Sequence, residues 1–283
     1  MFWGGTFLTG QITSKAISPV LGAFGRFAVA SIYFIFMLTI REGKWPRPNR
    51  KQWGLIISAA ATGIVAYNVF FFSGLKLIET SRASLIIALN PVGIMWLASI
   101  LGIERLNRRR VIGIIVALFG VGVVLTRGEL AEIQANVGTG ELFILGCVIS
   151  WSLFTLIGRK LMEGLSPLTI NTYASIIGSI ALLIPAANQM PALISAGWPV
   201  WLSIVYLGVF GTGLGFVWYY DGVRDIGPTR TGIFINLVPA WAIILGALFL
   251  QEQILPATLL GGMLIITGVT ITNLARQREN GSQ

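Results

Sequence analysis

Apolar stretches recur along the chain at 20–40, 53–73, 83–101, 111–126, 142–158, 168–187, 200–220, 231–250 and 257–274, and most charged residues fall in the short intervals between them. A stretch of about 20 apolar residues is what one helix needs to cross a bilayer. The pattern predicts an all-α integral membrane protein, with no soluble domain between its spans. The opening "MFWGGTFLTGQITSK" is only moderately apolar and does not read as a cleavable signal peptide.

Two stretches break their own pattern. "SLIIALNPVG" (84–93) and "GIFINLVPAW" (232–241) each carry an asparagine and a proline inside an apolar run. Proline removes a backbone donor and blocks the bond to the carbonyl four residues back. In hydrocarbon an unpaired carbonyl costs roughly several kcal/mol. Pro91 and Pro239 are therefore expected to act as hinges beside a wet cavity, freeing carbonyls near Ile87 and Ile235, with Asn90 and Asn236 at the breaks. The plainer alternative is a packing kink, because proline is common in membrane helices.

Pro91 and Pro239 are 148 residues apart, and sliding the chain against itself by that shift aligns much else without a gap. Trp3 meets Trp151, Ser18-Pro19 meets Ser166-Pro167, and Trp53 meets Trp201. Gly63 meets Gly211, Arg82 meets Arg230, and Glu104 meets Glu252. Gly113 and Gly120 meet Gly261 and Gly268. The reading is a repeat at 1–135 and another at 140–283, each of five helices. An odd number of spans sends the second repeat into the membrane from the opposite side, giving an inverted pair and ten helices. Trp151 lies well inside its apolar stretch while Trp3 has two residues before it, so helix one is expected to lack its first turns.

Composition and charge narrow the class. Hydrophobic residues make up 55% of the chain and charged ones 11%, with a mean hydropathy of +0.80, against about 25% charged in an ordinary soluble domain. The net charge of +9 invites a nucleic-acid reading, but the basic residues are sorted by loop. Arg41, Lys44, Arg47, Arg50 and Lys51, Arg105 and Arg108 to Arg110, Arg159 and Lys160, Arg224 and Arg230, and Arg276 and Arg278 fall on one side. Lys15, Lys76, Arg82 and Arg127 fall on the other. The positive-inside rule then places both termini in the cytoplasm. With one cysteine, Cys147, and no histidine, there is no internal disulfide and no His-dependent triad, and no phosphate loop or metalloprotease motif occurs. No enzyme activity, cofactor, metal or nucleic-acid partner is expected.

Residues costly to place in hydrocarbon are the candidate site. Tyr67 and Phe71 share a helix face four residues apart. Gly215 and Tyr219 hold the equivalent positions of the second repeat, where Gly211 and Gly215 form a GxxxG suited to close helix contact. Trp3, Trp151 and Trp241 add rings, and Thr6 and Asn68 add polar groups. Trp45, Trp53, Trp198 and Trp201 sit at span ends and read as interfacial belt residues. Arg26 lies within a span, where a charge faces a pathway, a partner or the interface. It is a candidate for a substrate carboxylate or a gating charge, against snorkelling or an ion pair. Asp221, at the inner end of its span beside Arg224 and Asp225, is the other candidate gating charge. No span carries a central acid, so the coupling expected is facilitative.

Taken together, "WGGTF", Lys15, Ser18-Pro19 and Arg26, then "SGLKLIETSRASLIIALNP" with Glu104, Gly113 and Gly120, and later "YYDGVRDIGPTRTGIFINLVP" with Glu252, Gly261 and Gly268, resemble the EamA branch of the drug/metabolite transporter superfamily. The second half departs from the first signature, since Arg26 aligns with Ala174 and Lys15 with Glu163. The resemblance implies alternating-access export of small metabolites, including amino acids, across a bacterial inner membrane, with the bilayer as the other partner. It also implies that a monomer suffices. A YddG-type exporter of aromatic and neutral amino acids is the branch it points to. The rival transport reading is a proton-coupled multidrug or lipophilic-cation exporter. A membrane-embedded enzyme, a flippase-like protein or a scaffold is a reading of another class.

Overall fold

A computed structural model describes residues 2–43, 45–103, 107–126, 138–226, 235 and 237–280, with backbone alone for Tyr220, 222–226 and 273–280. Among these residues every regular element is helical. The rods are α1 (Phe2–Ala16), α2 (Pro19–Glu42), α3 (Arg50–Leu77), α4 (Thr80–Ile100), α5 (Arg108–Leu125), α6 (Thr139–Leu161), α7 (Pro167–Ile194), α8 (Trp198–Tyr219, running on to Ile226), α9 (Val238–Leu250) and α10 (Pro256–Asn280). Six of them, α2, α3, α4, α6, α7 and α8, are long and apolar enough to cross a membrane. The helix α9 and the Pro256–Thr272 part of α10 are shorter apolar helices.

Helix starts follow from short local signals. Ser18 accepts a hydrogen bond from the Leu21 N–H while Pro19 opens α2, and Ser166 does the same for Thr169 ahead of Pro167 in α7. A serine cap followed by proline satisfies one orphan donor and removes another, so the Ser-Pro pairs start two helices in the same way. Asn49 and Gln52 form a reciprocal capping box at α3, and Asn107 caps α5. One cap comes from far along the chain. Glu252, in the connection after α9, accepts from the Thr80 N–H at 2.6 Å and the Ser81 N–H at 3.0 Å, closing the start of α4. Glu104, its partner in the 148-residue alignment, lies outside the described residues.

The interruption of α4 is real but precedes the proline. Ala88 and Leu89 form a turn, and Pro91 falls in the first turn of the segment that restarts at Asn90. There its missing N–H costs nothing, because the first four donors of a helix have no intrahelical acceptor. Pro239 likewise sits in the first turn of α9. A different irregularity, with no sequence signal, occupies α3 and α8. Both contain a π-helical stretch, Ala60–Ala66 and Tyr206–Leu214, and the 148-residue shift lays 60–66 on 208–214.

The largest buried cluster joins Phe7 of α1, Phe27 and Phe34 of α2, Phe71, Phe72 and Leu75 of α3, Ile144 of α6, Leu182 of α7 and Leu207 of α8. In each of the six long helices only 44–50% of the apolar window is buried. The uncovered half carries Ile32, Phe36, Ile149, Ile184 and Leu202, as a lipid-facing surface requires. The helices α5 and α10 pack backbone to backbone. A Cβ added at Gly120 would stand 2.8 Å from the Gly261 carbonyl oxygen, and one at Gly261 would stand 2.6 Å from that of Gly120. Between helices in lipid, such small-residue contact takes the place of a hydrophobic driving force.

Candidate functional site

A small cavity, with about 20 Å³ of free space and partly open to the surroundings, lies between α2, α3, α6, α7 and α8. Arg26 and Phe27 of α2, Gly63, Ile64, Tyr67 and Asn68 of α3, Trp151 and Phe154 of α6, Asn171 and Ser175 of α7, and Thr212 and Phe216 of α8 line it. That space is little more than a single water molecule needs.

Arg26 organises the polar side. Seven residues into α2, it sits about 10 Å along the helix from Pro19 and is only 8% exposed. Its Nε donates to Thr212 Oγ1 at 2.9 Å and its Nη1 to Asn68 Oδ1 at 3.0 Å. Both acceptors are themselves fixed by the π stretches. Asn68 Nδ2 donates to the carbonyls of Ile64 (2.8 Å) and Gly63 (3.3 Å), and Thr212 Oγ1 to that of Leu207 (2.9 Å). A π turn adds a residue without adding a ladder bond, so its carbonyls are open to side-chain donors. Trp3 Nε1 uses another, at Gly211, at 3.0 Å. Arg26 thus ties the irregular part of α3 to that of α8. It does not snorkel to the surface and, among the described residues, forms no ion pair; the rings of Phe27 and Phe71 flank its guanidinium at 5.5 and 5.9 Å.

The remaining walls are aromatic, with two polar additions. Trp151 lies 5.4 Å from Tyr67, 5.4 Å from Phe154 and 6.1 Å from Phe216, centroid to centroid. Asn171 donates to the Pro167 carbonyl. Ser175 is 1% exposed, and its Oγ has no hydrogen-bond partner among the described residues.

Of the residues singled out from sequence, Arg26, Tyr67, Asn68 and Trp151 share this wall. Phe71 lies behind it, stacked on Tyr67 at 6.0 Å. Trp3 and Tyr219 pair at 5.7 Å between α1 and α8. Thr6 bonds its own helix at the Trp3 carbonyl and packs under Gly211. Trp241 backs onto Gly4 of α1. None of these four is in the wall, because α1 packs so closely on α8 and α9 that its face is filled by them. Asn90 begins the second segment of α4 and is not in the cavity wall; its Oδ1 is buried and has no partner among the described residues. Asn236 lies outside the described residues. Asp221 faces Arg41 of α2 at 3.5 Å, both partly exposed. Phe154, Asn171, Ser175, Thr212 and Phe216 were not anticipated. The one available signal was Asn171 and Ser175, polar residues four apart and so on one face of a membrane-length helix.

Comparisons with known proteins agree with this architecture. Residues 1–126 and 138–274 each match the EamA-like transporter family. The uncharacterized transporter YyaM of Bacillus subtilis is 30% identical over 95% of this chain and 89% of its own length. A probable terminal-alkyne amino-acid exporter of Streptantibioticus cattleyicolor is 28% identical over 82% of this chain and 78% of its own. A solved crystal structure covering 97% of both chains gives a TM-score of 0.64 at 20% identity, which speaks to the fold alone. Matches along nearly the whole sequence, on a bundle of membrane-length helices around a mixed polar and aromatic cavity, lead to one conclusion: this multi-pass membrane protein belongs to the EamA-like transporter family.

Proposed function

We propose that the chain is a facilitative secondary transporter that exports amino acids with aromatic or neutral side chains by alternating access. The carrying observation is the cavity, in which a buried cation, a free hydroxyl and an amide meet the faces of Trp151, Tyr67 and Phe216. A few fixed polar groups in an apolar, ring-lined pocket suit a small solute with one charged end. The relative described as a probable amino-acid exporter supports the substrate class. All ten rods cross the bilayer in this reading, as two inverted five-helix repeats at 1–135 and 140–283. Both termini face the cytoplasm of a bacterial inner-membrane protein, and a monomer suffices. Pro91 and Pro239 serve as the hinges, the first where α4 restarts and the second in the first turn of α9.

The rival cation exporter is less favoured, because none of the eleven acids in the sequence sits in the middle of an apolar stretch and the cavity charge is positive. The test is uptake of labelled neutral amino acids into liposomes holding the purified protein, with and without a pH gradient. Uptake without a gradient is expected. Uptake only with one would overturn the facilitative reading, and no uptake across the panel would overturn the substrate class.

A further inference from the structure

We propose that the cavity recognises a carboxylate, not an amino acid as such, and that it takes aromatic monocarboxylates lacking an amino group at least as well as the amino acids themselves. This rests on the reading of the cavity as the transport site. The argument begins with the donors of Arg26. A guanidinium carries five N–H groups and accepts nothing. Two are used, on Thr212 and Asn68, and both acceptors are neutral. Three remain on a side chain that lines the cavity, more than the two that a carboxylate takes in a paired contact. A buried cation without an anion is costly, and here it is held in place by two side chains that are themselves anchored to backbone carbonyls. The arrangement is therefore a preformed anion site, with Phe27 and Phe71 covering the flanks of the guanidinium.

For an ammonium the same inventory offers neutral acceptors and the weaker attraction of ring faces, and no anion among the described residues. No acid is among the described residues of the wall. Asp221 is engaged by Arg41, and Glu141 by Arg82 at 3.0 Å. The α-ammonium of an amino acid lies within a few ångströms of its own carboxylate, hence close to Arg26, and would leave water to meet a like charge. The groups left to receive it are neutral, namely the Ser175 and Tyr67 hydroxyls and the Asn171 amide oxygen, with ring faces beyond. Deleting the ammonium removes a desolvation cost and a repulsion and forfeits no ion pair.

The experiment compares 3-phenylpropanoate, phenylalanine and 2-phenylethylamine as external inhibitors of labelled phenylalanine uptake by the wild-type protein in liposomes. The first is expected to inhibit at concentrations no higher than the second requires. The amine should need at least about tenfold more, the discrimination that one charge-assisted contact supplies. Uptake of phenylalanine with 3-phenylpropanoate about tenfold weaker than phenylalanine would overturn the proposal and leave the transport reading standing. If phenylalanine is not carried, that reading fails, and calorimetric binding of 3-phenylpropanoate to the detergent-purified protein decides the proposal alone. Binding supports it and absence of binding overturns it. In Arg26→Gln the preference for carboxylate over amine should disappear, and Arg26→Lys should restore part of it. A merely structural arginine would lower both affinities and keep their order. The wild-type comparison needs no variant, so it stands if Arg26→Gln does not fold.

Discussion

An arginine in the interior of a membrane bundle asks for a partner, and Arg26 has two neutral ones. Asn68 is the more constrained, because its amide also bonds the Gly63 and Ile64 carbonyls. Asn68→Asp would supply the missing counter-charge at about 3 Å and silence the cation toward solutes. Carboxylate uptake is expected to fall at least about tenfold, while the folded protein is still recovered; unchanged uptake would mean that Arg26 does not touch the substrate. Arg26, Tyr67, Asn68 and Trp151 were legible in the sequence because a charged, amide or ring side chain stands out against aliphatic neighbours. Thr212 and Phe216 were not, since threonine hides its hydroxyl inside a helix and the alignment pairs Thr212 with Ile64 and Phe216 with Asn68. The 148-residue self-alignment therefore pairs unlike residues at these two wall positions.

Helices and their breaks behave differently from the residues within them. The proline signals gave the right neighbourhood but the wrong bond, since each proline starts a helical segment in place of bending one. Pro91→Ala is therefore expected to change thermal stability by less than about 1 kcal/mol, yet to lower transport per folded molecule by letting α4 heal across Ala88 and Leu89. Equal transport would remove the hinge role. The π stretches left no trace in the sequence, because one extra residue per turn barely alters an apolar pattern. Close packing of α5 on α10, in contrast, is written in matched glycines. Gly120→Leu should separate the two helices and cost about 1–3 kcal/mol, seen as a lower unfolding temperature in detergent; an unchanged transition would mean that the pair yields without strain.

Across the whole molecule, the apolar pattern marked nine of the rods, and α1 was expected only from the 148-residue self-alignment. The reason is physical. Helix α1 buries Gly4, Gly5, Thr6, Gly10, Gln11, Thr13 and Ser14, so it is walled by protein and has little need of an apolar surface. Hydropathy sees helices that face lipid and overlooks one that does not. The charge pattern makes a prediction at this scale too: reporter domains fused at either end should both be cytoplasmic, and an external C-terminal reporter would break the five-plus-five arrangement. The cap that Glu252 places on α4 carries a consequence for synthesis. Its acceptor and donors are 172 residues apart, so a growing chain inserts α4 with the N–H groups of Thr80 and Ser81 still seeking an acceptor. Only when the turn into α10 leaves the ribosome can that end be closed. The fourth helix is in this sense finished by the connection between α9 and α10, and its start is closed only when nearly the whole chain has been made.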